Sequence, residues 1–167
     1  MTQPECALVL RNGARDQVTM ASSALAELED VISKGSVERR VEALNHLTEL
    51  FVSGAVPASD DQSNRLDILF LRLCTEIEVA TRRALAVRLA RLPHAPPKIV
   101  RMLANDDEIE VATPILSQSV RLDENAIIEI ITTKSQQYLM AVSTRASLTP
   151  AVTDVLVERG DQAVVRS

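Results

Sequence analysis

Arginine supplies the most concentrated chemistry in this chain. Arg82, Arg83, Arg88 and Arg91 crowd one short segment, and Arg101 follows in the next. A guanidinium offers a planar fork of donors that suits carboxylate or phosphate, so such a cluster can serve as an anion-binding surface. Arg88 and Arg91 stand three residues apart, which on a helix puts them on one face with Thr81 and Ala84. A short way downstream the sign reverses at Asp106-Asp107-Glu108 and Glu110. From Arg72 to Arg101 there are seven basic residues and two acids; from Met102 to Lys134 there are two basic residues and seven acids. The formal net charge of −5 hides this swing.

Two outcomes compete for these charges. Neighbouring segments of opposite sign can pair with each other inside the fold. Alternatively, Arg82, Arg83, Arg88, Arg91 and Arg101 can form a basic strip for an acidic or phosphorylated protein partner. A nucleic-acid backbone is the weaker fit, because a basic chain with interleaved aromatics is expected for it. This chain has a pI near 5.1 and only two Phe, one Tyr and no Trp.

The remaining reactive side chains do not assemble a catalytic pattern. The acids at Asp106–Glu110 could be imagined as an acid/base pair, but acids at a helix start are explained by its dipole and its orphan amides. His46 and His94 lie far apart, with no zinc, nucleophile-elbow, phosphate-loop or dinucleotide motif nearby. No metal site, no cofactor and no enzymatic activity are expected. Cys74 falls in the apolar run Leu66–Cys74 and reads as core, while Cys6 has no activating neighbour. No apolar stretch approaches the roughly 20 residues of a membrane span, and the amino-terminal apolar run is too short for a signal peptide. A cytoplasmic protein with reduced cysteines is the expectation.

The elements that must position these residues read as helices throughout. A chain of 167 residues with 46% hydrophobic content can bury a core. With four glycines and three aromatics it lacks the turn residues of an all-β fold. Residues 1–20 read as irregular, and 21–167 as one helical domain. Ala21–Lys34 is amphipathic and closed by Gly35; Ser36 caps Val37–Val52, on which Val41, Leu44, Leu47, Thr48 and Phe51 share a face. Gln62–Leu73 follows, with Asp60 or Asp61 as its cap. Pro97 opens a helix to about Ala104, Asp123 caps one to about Thr133, Ser135 starts one to about Ala146, and Thr149-Pro150 starts one that Gly160 should stop.

A repeated pentapeptide organises the middle of the chain. IEVAT occurs at Ile77–Thr81 and again at Ile109–Thr113, 32 residues later. Taking Ala80, Ala112, Ala141 and Val165 as equivalent gives steps of 32, 29 and 24 residues, as expected of stacked helical pairs. In that reading the Ile, Val and Ala of both copies face the core between repeats. Asp161-Gln-Ala-Val-Val begins a further unit, so truncation at the carboxy-terminal end is expected.

An acidic start followed by Val-Ala and small aliphatic residues resembles the HEAT and armadillo class of α-solenoids. The run LARLPHAPPKIVRMLANDDEIEVATPILSQSVRL, with the later Ser-Thr-Arg-Ala-Ser-Leu-Thr and Leu-Val-Glu-Arg-Gly-Asp stretches, is similar to a narrower family. That family is an uncharacterised bacterial one, common in alphaproteobacteria, of the domain-of-unknown-function kind. The resemblance implies an all-α solenoid of HEAT-like helical pairs, with about eight or nine short helices in a right-handed superhelical stack; it carries no catalytic residues. The function expected is a non-catalytic protein–protein interaction module that uses the concave face of the stack. The alternatives are a nucleic-acid-binding protein of the DNA-repair type and a self-assembly element, monomeric or weakly dimeric through an open carboxy-terminal repeat.

Overall fold

The computed structural model describes residues 29–31, 33–52, 60–75 and 77–165. The expectations for residues 1–20, for the start of the Ala21–Lys34 helix and for the loop after Val52 lie outside them. The described residues are helical, with no strand among them. Residues 29–31 and 33–34 are helical up to Gly35, whose amide donates to the Val31 carbonyl at 2.8 Å. A Cβ at Gly35 would meet that carbonyl oxygen at 2.3 Å, so the stop there requires glycine.

Eight helices follow: α1 Val37–Val52, α2 Asp60–Cys74, α3 Val79–Ala90, α4 Pro97–Ala104, α5 Ile109–Gln118, α6 Glu124–Thr133, α7 Gln136–Ser143 and α8 Pro150–Val165. Local chemistry explains their starts. The Ser36 hydroxyl bonds the Glu38 carboxylate, which lies below its ordinary range for that reason. Pro97 stands at the first turn of α4, where a missing N–H leaves no orphan donor. The Asp123 carboxylate accepts from the Ala126 amide at 2.8 Å and caps α6. Asp60 and Asp61 are the first residues of α2 rather than its cap.

Gly160 does not stop α8, which continues to Val165. Glycine within a helix costs about 1 kcal/mol relative to alanine, too little to end it where the backbone stays right-handed. The start of a new unit expected at Asp161 is therefore part of the same helix.

The helices form two rows. In the first, α1 packs on α3, α3 on α5, and α5 on α7. In the second, α2 packs on α4 and α6 on α8, while α4 and α6 share little direct packing. Across the rows α1 meets α2, α3 meets α4, α4 meets α5, α6 meets α7, and α7 meets α8. The core between them is aliphatic, with Phe70 its fully buried aromatic ring.

A quartet of buried residues at positions i, i+1, i+4 and i+5 does the packing. It is Leu85, Ala86, Leu89 and Ala90 in α3; Ile99, Val100, Leu103 and Ala104 in α4; Val111, Ala112, Ile115 and Leu116 in α5; and Ala126, Ile127, Ile130 and Ile131 in α6. From Leu85 to Val111 is 26 residues, and from Ile99 to Ala126 is 27. The packing period is thus 26–27 residues and not the 32 of the pentapeptide. The two IEVAT copies occupy different helix positions. In the first, Glu78 is the N-cap and Val79 opens the helix; in the second, Glu108 is the N-cap and Ile109 opens it. A shift of two positions turns the side chains by about 200°. Val79 and Ala80 accordingly face solvent, whereas Val111 and Ala112 are buried. Ile77 of the first copy is nonetheless buried and Ile109 of the second is partly so, and the expectation that both copies face the core therefore fails only for Val79 and Ala80.

Candidate interaction site

The five candidate arginines do not share one site. Arg82, Arg83 and Arg88 lie on α3 and Arg91 at its end, all in the first row, while Arg101 is on α4 in the second. Each meets a polar group of this same chain. Arg83 bridges to Glu110 of α5 at 3.3 Å, Arg88 to Glu49 of α1, and Arg101 to Glu129 of α6 at 2.9 Å. The Arg91 Nε donates to the Gln118 amide oxygen at 3.5 Å, a neutral and loosely held partner. Three of these contacts span 27 or 28 residues, close to the packing period, so they act as rungs between successive helices of a row.

Arg82 is the exception in both depth and geometry. Its Nε donates to Asp106 Oδ2 at 2.8 Å, its Nη2 to Asp106 Oδ1 at 3.3 Å, and its Nη1 to the Ile77 carbonyl at 2.9 Å. The side chains of this pair are only 21% and 10% exposed. Asp106 Oδ1 also accepts from the Glu108 amide at 3.0 Å, and the Asp106 carbonyl accepts from the Tyr138 hydroxyl at 2.6 Å. Beside it Lys134 bridges to Asp107 at 2.7 Å and sits 5.5 Å from the Tyr138 ring centroid. The lysine holds Asp107 below its usual range, the carboxylate raises Lys134, and burial raises Tyr138. The loop between α4 and α5 is thereby tied to α3, to α7 and to the turn before α7.

An open cleft of about 550 Å³ adjoins this loop, bordered by Cys74, Met102, Arg82 and Asp106 among others. Cys74 is buried, and burial pushes its thiol up to about 12, which leaves no thiolate at neutral pH. Among the described residues no group of three or more His, Cys, Asp or Glu is placed to hold a metal ion. Nor is any helix among them long and apolar enough to cross a membrane.

Three arginines outside the expected cluster do structural work that sequence reading missed. Arg145 Nη1 donates to the Leu116 carbonyl at 2.7 Å and Nη2 to the Ser119 carbonyl at 2.8 Å, closing the carboxy end of α5. Arg159 donates to the Ile131 carbonyl at 2.7 Å and to those of Thr132 and Lys134, closing α6. Arg121 donates to the Ala95 carbonyl at 3.2 Å. The last four carbonyls of a helix lack internal donors, and a cation there also meets the negative end of the helix dipole. Arg121 reaches back 26 residues to Ala95 and Arg145 back 26 to Ser119, a spacing that only the folded chain reveals.

Asp67 is the other missed residue. Its carboxylate, buried in α2, accepts from the Lys98 amide at 3.3 Å and the Ile99 amide at 3.2 Å. It caps α4 from another helix. Burial pushes its carboxyl up, and the two amides and the charge of Lys98 pull it down. A lone acid between Leu66 and Ile68 was the visible clue, since a buried carboxylate needs donors.

A model of the bacterial family described as "Uncharacterised protein conserved in bacteria (DUF2336)" matches residues 111–167, from the first turn of α5 onward. Neither the curated proteins nor the solved structures yield a match.

Proposed function

We propose that this chain is a non-catalytic helical-repeat module of the HEAT-like solenoid kind, whose first row of helices receives an acidic protein segment. The packing of each helix on the next but one, with a buried quartet every 26–27 residues, supports the repeat reading. The side of a curved stack where helices crowd is its inner side. Direct packing links α1, α3, α5 and α7 in turn but is slight between α4 and α6, which supports assigning the first row to the concave face.

The observation that carries the proposal is the solvent-exposed face of that row. Val87 of α3, Thr113 of α5 and Met140 of α7 recur after 26 and 27 residues and stand in one column, with Val87 41% and Met140 64% exposed. Arg83 and Arg91 flank Val87 along α3, each with only an exposed pair or a neutral amide to satisfy it. Exposed pairs contribute roughly 0–1 kcal/mol, so both guanidiniums can turn to an incoming carboxylate at little cost. An acidic segment with one apolar side chain against Val87 and Met140 fits this surface.

Affinity capture from a bacterial lysate tests the reading. A partner retained by the wild type and by Glu124→Lys, yet lost by Arg83→Glu/Arg91→Glu and by Met140→Glu, supports it. Retention by all variants at unchanged helicity overturns it.

A further inference from the structure

The second row has a different electrical character. Along α2, Ile68 is 47% exposed and stands between the exposed Arg65 and Arg72 at helical spacing; Asp60 and Asp61 lie upstream, in the first turn. Along α8, Val157 is 58% exposed and stands with the exposed Asp154 and Glu158 on one face. Between these helices, α4 exposes Lys98 and Arg101, and α6 exposes Glu124 and Glu129. The one remaining cation of α8, Arg159, is turned into the carboxy end of α6. The row order follows from the packing of α2 on α4, the Arg101–Glu129 bridge from α4 to α6, and the packing of α6 on α8. Its outer face therefore runs from cationic to anionic, with an exposed aliphatic side chain near each end.

We propose that the outer face of the α2–α4–α6–α8 row is a self-complementary contact surface for a second copy of this chain. A two-fold axis passing between α4 and α6 lays α2 over the partner copy's α8 and α4 over its α6. The same axis produces both contacts again with the roles exchanged, as an isologous interface requires. Ile68 then meets an aliphatic residue rimmed by carboxylates, and Arg72 and Lys98 meet opposite charge. Among the described residues Arg72 and Lys98 make no ion pair within the chain, so docking breaks none there. Charge complementarity of this kind sets orientation and encounter rate more than affinity, so a weak, salt-sensitive dimer is expected. This inference goes beyond the partner reading above and concerns the opposite row, so either can fail without the other.

Sedimentation velocity tests it. The wild type should dimerise at low ionic strength and separate in about 1 M salt, where the screening length falls to about 3 Å. Arg72→Glu/Lys98→Glu and Glu124→Lys/Glu158→Lys should each be monomeric at low salt, with helical circular dichroism unchanged. An equimolar mixture of the two should dimerise again, as should the chain carrying all four changes. A wild type that stays monomeric throughout overturns the proposal. So do a dimer that neither double variant disrupts and a mixture that stays monomeric.

Discussion

Arg82 and Arg83 are adjacent in the chain and identical in chemistry, yet the fold uses them in opposite ways. Arg82 turns inward, where a forked pair with Asp106 and a bond to the Ile77 carbonyl tie α3 to the loop before α5. Arg83 turns outward to Glu110, and both of those side chains remain more than half exposed. One step along a helix rotates a side chain by about 100°, enough to move it from a seam to the solvent. A charged residue's consequence is thus set by the dielectric it sits in and by how many of its donors are used.

The comparison can be broken most directly at Arg82. Replacing Arg82 with alanine strands a largely buried carboxylate and should cost roughly 3 kcal/mol in chemical denaturation. A loss below about 1 kcal/mol would mean that the pair behaves like a surface one. Next in size is Arg145→Ala, which removes two bonds to the end of α5 and should cost about 2 kcal/mol. Arg145→Lys should recover only part of that, because a single ammonium does not reproduce the fork.

Asp67 sharpens the same contrast from the acidic side. Asp67→Ala should cost about 1–2 kcal/mol through loss of the α4 cap. Asp67→Asn should cost less, since its amide oxygen still accepts. The pH response separates the two effects. Burial raises the folded carboxyl, so the native state binds that proton more tightly than the unfolded chain. The contribution is then greatest below the unfolded carboxyl's range and falls as pH rises through the folded one. Asp67→Asn should remove that fall from the denaturation profile; an identical acid limb in both proteins would refute it. Smallest of all, Arg83→Ala should change stability by no more than about 0.5 kcal/mol. If it matches Arg82→Ala, the inward and outward arginines are not distinct.

Much of the architecture was legible in the sequence because it depends on local chemistry. Pro97, Asp123 and Pro150 mark helix starts by their own conformational and hydrogen-bonding properties, and the structure begins α4, α6 and α8 accordingly. Cys74 within an apolar run is buried, as composition alone suggested. The pentapeptide misled because five identical residues do not determine where a helix begins. The caps at Glu78 and Glu108 shift the two copies by two positions and send their Val-Ala pairs to different faces. Likewise the charge reversal announced that Arg and acid would meet, but not which arginine would be buried.

What the sequence determined by itself was the element type, the boundaries set by proline and by side-chain caps, and the aliphatic core. These follow from backbone conformational preference and from transfer of apolar surface out of water, both readable residue by residue. Only the tertiary structure decided the packing period, the burial of Asp67 and Arg82, and the placing of Arg145 and Arg159 on helix ends. Those depend on groups some 25–30 residues apart in the chain being brought within hydrogen-bond distance. The value of such a bond depends on the water excluded around it, which no single segment specifies.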